Sequence, residues 1–97
     1  MAWIQGECYE FNETNVTQAP NQEGVYGITD SNNKVIYIGQ GNLRDRLTAH
    51  FRKYDPVDDC IWDHNPIYYY REVCSNSEQR EKLLLAEYST YCNERIG

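Results

Sequence analysis

The sequence predicts a small α+β domain, a central antiparallel β-sheet flanked by α-helices, and three observations predict it. Two β-branched and aromatic runs, Val25 to Thr29 and Val35 to Ile38, flank the polar reversal 30–34, which is the pattern of a β-hairpin. A third such run, Ile67 to Val73, holds Tyr68, Tyr69 and Tyr70 at its middle. Two further stretches, opening at Asn42 and Ser75, carry apolar residues at the helical period behind capping residues. Ninety-seven residues make one domain with one modest core. The expected unit is therefore residues 1–97, with 1–23 as an N-terminal packing segment.

In that segment Trp3, Ile4, Tyr9 and Phe11 stand among polar residues and read as an apolar edge covering one side of the sheet, with a short turn after Asn12. A tryptophan over a small open sheet is foremost a packing residue. In the hairpin, alternation puts Tyr26 and Ile28 on one face and Val25, Gly27 and Thr29 on the other. On the partner strand it puts Tyr37 with Val35, and Ile36 with Ile38. A short reversal lets Tyr26 and Tyr37 approach one another.

Gly39-Gln40-Gly41 breaks the second strand, and Asn42 suits the N-cap of a helix with Asp45 in its first turn. At 100° per residue Leu43, Arg46, Leu47, His50 and Tyr54 fall in one sector, so a guanidinium and an imidazole share a packing stripe. Either they form a functional pair, or Arg46 snorkels past the leucines and His50 is an ordinary boundary histidine.

Residues 55–66 contain Asp55, Asp58, Asp59 and Asp63 together with Pro56 and Pro66. Without the ligand order and closing glutamate of a calcium loop, they read as a solvated acidic connector with Ile61 and Trp62 turned inward and His64 in a turn. Ser75, three residues before Glu78, has capping-box spacing for a helix running to about Tyr91. Glu81, Leu84, Leu85, Tyr88 and Cys92 share a sector of it, whereas Glu87 and Glu94 fall on the outside. A carboxylate on a packing stripe needs a cation, hydrogen bonds or a proton. Glu81 therefore has two readings, a structural salt bridge to Arg46 or a catalytic carboxylate.

Formal charge is −6, which opposes nonspecific attraction to nucleic acid or an anionic membrane. The distribution is uneven: no Lys or Arg precedes Lys34, whereas Lys34, Arg44, Arg46, Arg52 and Lys53 face only Asp45 within residues 34–53. A phosphate-binding surface fits there, as does the solvated face of a helix. No run of eighteen apolar residues and no basic-then-apolar leader is present, so a cytoplasmic or nucleoid-associated protein without a membrane partner is expected. Cys8, Cys60, Cys74 and Cys92 are widely spaced. Free thiols are the simpler reading, with two disulfides or a four-cysteine zinc site as alternatives.

Gly24-Val25-Tyr26 and Tyr37-Ile38-Gly39, followed in order by Asn42-Leu43, Arg46 and His50, resemble the GIY-YIG nuclease family. Glu81 and Asn93, twelve residues apart, resemble the family's glutamate and asparagine, and the resemblance runs over residues 24–93. It implies metal-dependent hydrolysis of phosphodiester bonds in DNA, with Glu81 holding Mg²⁺, or Mn²⁺ in its place. Arg46 would bind the phosphoryl oxygens. Tyr26 would deprotonate the attacking water with His50 and Tyr37 orienting it, or His50 would be the base itself.

Lys34, Gln40, Arg44, Arg52, Lys53 and Asn93 are the supporting candidates. The five principal groups, Tyr26, Tyr37, Arg46, His50 and Glu81, are expected to face one cleft. DNA is the expected partner, together with a second copy of the chain or a targeting protein. Gln40 stands where many members have lysine, and Thr90 stands near the usual proline. The alternative is an inactive nucleic-acid-binding or protein-interaction domain that keeps the fold.

Overall fold

The computed structural model describes residues 8–93, so Trp3, Ile4 and Glu94 lie outside the described residues. Its element order is β1 (Cys8–Glu10), α1 (Glu13–Thr17), β2 (Glu23–Thr29), β3 (Val35–Asn42), α2 (Leu43–Phe51), α3 (Asp58–Asp63), β4 (Tyr68–Val73) and α4 (Ser77–Glu87). The four strands form one antiparallel sheet in the order β1-β4-β2-β3. The α+β class expected from the hairpin and the tyrosine-rich run is the one observed.

The hairpin turn is built by its first residue. Asp30 Oδ1 accepts from the N–H groups of Asn32 at 2.8 Å and Lys34 at 2.9 Å, and Asn33 takes the left-handed conformation with φ 63°, which asparagine tolerates. Beyond the turn the register slips between Ile28 and Thr29. Strict alternation fails at this bulge: Val35 joins Ile38 in the cluster under α4, and Ile36 joins Tyr26, with Tyr37 packed against them, on the α2 side. An inserted residue reverses every facing before it.

Two clusters fill the faces. Leu43 and Leu47 of α2 pack with Tyr26, Ile28 and Ile36, whereas Leu84 of α4 packs with Val25, Val35 and Ile38. The helices carrying Arg46 and Glu81 therefore cover opposite faces of the sheet.

Several local expectations change. The N-terminal segment supplies an edge strand, β1, and a helix, α1, whose N-cap Asn12 accepts from Asn15 N–H at 2.8 Å. The acidic connector folds into α3, burying Ile61 and Asp58. Helix α4 starts at Ser77 rather than after a Ser75 cap and stops at Glu87, so Cys92 lies beyond its stripe. Tyr54 is 73 % exposed, because α2 ends at Phe51 and the left-handed Lys53, φ 61°, turns the chain away. Cys60 and Cys92 are joined in a disulfide, and Cys8 and Cys74 are free. The thiols distant in sequence meet because α3 and the segment after α4 converge.

Candidate active site

Helix α2 begins where β3 ends. Asn42 accepts from Asp45 N–H at 3.0 Å, as its cap position requires. Gly41, at φ 131°, makes the bend, and a Cβ built there would come 3.2 Å from Arg46 Cγ. The glycine thus supplies a conformation that L side chains rarely adopt and leaves room for the Arg46 stem.

Tyr26 and His50 meet beneath this bend. The Tyr26 hydroxyl lies 2.7 Å from His50 Nε2, and His50 Nδ1 lies 2.6 Å from Asp58 Oδ1. All three are buried, with 1 %, 0 % and 1 % of their surface exposed. A carboxylate at Nδ1 fixes that nitrogen as the donor and leaves Nε2 to accept the Tyr26 proton. Asp58 is itself held, its Oδ2 accepting from Asp55 N–H at 2.9 Å. Tyr37 closes the cluster, its ring centroid 5.2 Å from that of His50 and 6.3 Å from that of Tyr26.

Arg46 is half-buried and donates to Asp55 Oδ2 at 3.1 Å. It also reaches the Tyr26 hydroxyl, lowering that phenol's pKa. Burial, the larger influence, pushes Tyr26 far above the ordinary tyrosine value, and Tyr37 and Glu81 act in the same direction. Tyr37 is raised too, first by burial, with Arg46 opposing and Glu81 reinforcing. His50 is held below its ordinary value by burial, against the pull of Asp58. In the resting site the phenol and the imidazole are therefore neutral.

Glu81 comes from α4 on the other face, and its charge is felt by both phenols. Burial raises its own pKa, Glu78 adds to this and Lys82 opposes it. Among the described residues no ion pair joins it to Arg46, whose partner is Asp55. Its carboxylate has no hydrogen-bond donor among them. The salt-bridge reading of Glu81 therefore gives way to Asp55, while Tyr26, Tyr37, Arg46 and His50 are brought together.

The supporting candidates are dispersed. Both ends of the Asn93 amide pair with the backbone of Ile38, N–H to Oδ1 at 2.8 Å and Nδ2 to carbonyl at 2.9 Å, so it extends the edge strand β3 like a further ladder residue. Gln40 faces α4 and accepts from Ser77 Oγ at 2.9 Å. Arg44 donates to the Ala19 carbonyl at 2.9 Å, Arg52 pairs with Glu13, Lys34 lies over the Tyr91 ring and Lys53 over Trp62.

Asp55 and Asp58 are absent from the sequence candidates. Their signal was one helical turn: Val57 and Ile61 four apart, with Asp58 three before Ile61 and four before Trp62, place Asp58 on the inward face.

The comparisons with known proteins agree with this architecture. Residues 4–90 match a family described as Domain of unknown function (DUF7508). The chain is 40 % identical over 42 residues to UvrABC system protein C of Christiangramia forsetii, a match spanning 42 % of this chain and 7 % of that protein. The GIY-YIG N-terminal endonuclease domain of UvrC from Thermotoga maritima, bound to its catalytic divalent cation magnesium, is similar at TM-score 0.68 and 23 % identity, over 82 % of this chain and 92 % of that one. A point mutant of the same domain bound to its catalytic divalent cation gives TM-score 0.69 and 22 % identity, over 84 % and 93 %. The fold of this chain is the GIY-YIG fold.

Proposed function

The chain belongs to the DUF7508 family, and from its site we propose that it is a divalent-metal-dependent endonuclease that hydrolyses phosphodiester bonds in DNA. The observation that carries this reading is the buried chain Tyr26–His50–Asp58, with hydrogen-bonding separations of 2.7 and 2.6 Å, ending at the strand edge beside Arg46.

The donor set fits a hard, water-rich ion. Glu81 offers one carboxylate that no protein donor engages among the described residues, and one or two carboxylates plus waters is how Mg²⁺ is commonly held. Mn²⁺ takes the same oxygen donors. When bound, the ion supplies neutralisation of charge at the phosphate and its leaving oxygen.

The remaining steps belong to the chain. Arg46 presents oriented N–H donors to the non-bridging phosphoryl oxygens, which guanidinium geometry matches. Tyr26 takes a proton from the attacking water while passing its own to His50 Nε2, and Asp58 stabilises the imidazolium that forms. Burial opposes both a free phenolate and a free imidazolium; moving the two protons together avoids the first, and Asp58 pairs the second. Tyr37, edge-on to His50, holds the imidazole plane and hands one face of the site to substrate. Asp58 and Asp55 are positioning residues in this scheme, acting through His50 and Arg46.

DNA is the proposed partner, reached through the cations of residues 34–53. Incubating the protein with supercoiled plasmid, with Mg²⁺, with Mn²⁺ and with a chelator, tests the reading. Nicked or linear product that requires the ion is expected.

A further inference from the structure

We infer that Cys60, Cys92 and His64 form a second metal site, for Zn²⁺, that exists when the Cys60–Cys92 disulfide is reduced. The ligand atoms of the three residues all lie within 4.8 Å of one another. A tetrahedral zinc with bonds of about 2.3 Å to sulfur and 2.0 Å to nitrogen places its ligands about 3.5–3.8 Å apart. Parting the sulfurs to that separation is a side-chain adjustment, since their Cα atoms stand 5.9 Å apart.

Cys60 and His64 sit four residues apart, in the middle and at the C-cap of α3, so they project from one side of it. Cys92 is anchored opposite them by its N–H on the Ile36 carbonyl at 2.9 Å. A disulfide by itself has no use for an imidazole. The His64 ring is nevertheless held against the sulfur pair, stacked on Tyr91 at 4.2 Å and 5°, and its nitrogens have no hydrogen-bond partner among the described residues.

The chemistry sets this site apart from Glu81. Two thiolates and an imidazole select zinc over magnesium, whereas a lone carboxylate does the reverse. Three protein ligands leave a fourth position for water, and a cavity of about 570 Å³ lined by Asp55, Asp59, Cys60, Tyr91 and Cys92 gives access to it. A dithiol reductant opens the site: it gives two electrons and two protons to the Cys60–Cys92 bond, yields two thiols and becomes a disulfide itself. Zn²⁺ then displaces both thiol protons. In either state α3, which carries Asp58, stays tied to the segment whose Asn93 braces β3.

The test is metal titration of the whole chain in excess Mg²⁺, oxidised and after reduction with a phosphine under argon. Co²⁺ serves as the optical probe and Zn²⁺ as its competitor. The reduced protein is expected to take up one equivalent of Zn²⁺ and to show a thiolate-to-cobalt charge-transfer band that Zn²⁺ bleaches, and the oxidised protein to show neither. His64→Ala, which leaves the disulfide able to form, should weaken Zn²⁺ binding at least about tenfold, and Cys60→Ser with Cys92→Ser should abolish the band. A reduced chain that binds no Zn²⁺, or that binds it equally in the His64→Ala protein, overturns the inference.

Discussion

Gly39 stands directly across the β2–β3 ladder from Tyr26, and the space that a side chain at position 39 would take is filled by the Tyr26 phenol. A Cβ there would lie 2.2 Å from the hydroxyl oxygen and 2.4 Å from Cζ. The glycine ending the second signature tripeptide is thus the counterpart of the tyrosine ending the first: one residue forgoes a side chain so that the other can reach His50.

Gly39→Ala should accordingly displace the Tyr26 ring from His50 and reduce cleavage by at least about 100-fold, the usual worth of positioned proton transfer. Overpacking of a buried ring costs about 1–3 kcal/mol. Chemical denaturation checks the stability and a plasmid assay the rate. A folded Gly39→Ala protein with undiminished cleavage would remove Tyr26 from the mechanism.

Asp58→Asn keeps the size of the group at His50 Nδ1 and removes its charge. The relay account expects cleavage to fall about 100-fold or more, DNA affinity to change little, and stability to drop by about 1–3 kcal/mol. Equal losses in binding and cleavage would mark Asp58 as merely structural.

Acid should destabilise the fold through His50. Burial holds its pKa below the ordinary 6.5, so below that pH the unfolded chain binds a proton that the folded one refuses. The histidine contribution is fully present above about pH 6.5 and is lost progressively as pH falls from there toward the lower pKa of the folded state. Asp55, lowered first by the Val57 N–H, adds a second loss below about pH 4. Melting temperatures from pH 8 to 4 should decline below 6.5, with the first component missing in His50→Gln. An unchanged slope in that variant would assign the effect elsewhere.

Much of this arrangement is legible in local sequence. The reversal at Asp30, the break at Gly39–Gly41 and the Asn42 cap are short-range signals, and α2's period alone puts Arg46 and His50 beside Leu43 and Leu47. The rest depends on tertiary context. The slip between Ile28 and Thr29 reverses the facing of Val35 and Ile36, and no property of either residue announces it. Asp55 and Asp58 hide in a connector whose prolines and acidic residues imitate a solvated loop. The partner of Arg46 is nine residues away, in that connector, rather than on the helix whose stripe presents Glu81. The Cys60–Cys92 pairing depends on where the chain returns after α4.

DNA binding should be modest and steeply salt-dependent. Lys34, Arg44, Arg52 and Lys53 are spread over surface contacts of their own in a chain of net charge −6. Neutralising about two to four phosphates gives a log–log salt slope of roughly −2 to −4. Fluorescence anisotropy with a short duplex at several salt concentrations measures it. A flat salt response would place the affinity in base stacking or apolar contact.

The central claim, that Glu81 holds the ion that cleavage needs, is tested most directly by Glu81→Gln. The change preserves volume and removes a charge that no ion pair or hydrogen bond engages among the described residues. Mg²⁺ and Mn²⁺ affinity, thermal unfolding and cleavage of supercoiled DNA should be measured on the same preparations. The account predicts a protein that melts near the wild type, still binds DNA, binds the ion at least about tenfold more weakly and cuts at least about 100-fold more slowly. A folded Glu81→Gln protein with wild-type metal affinity and undiminished cleavage would contradict it.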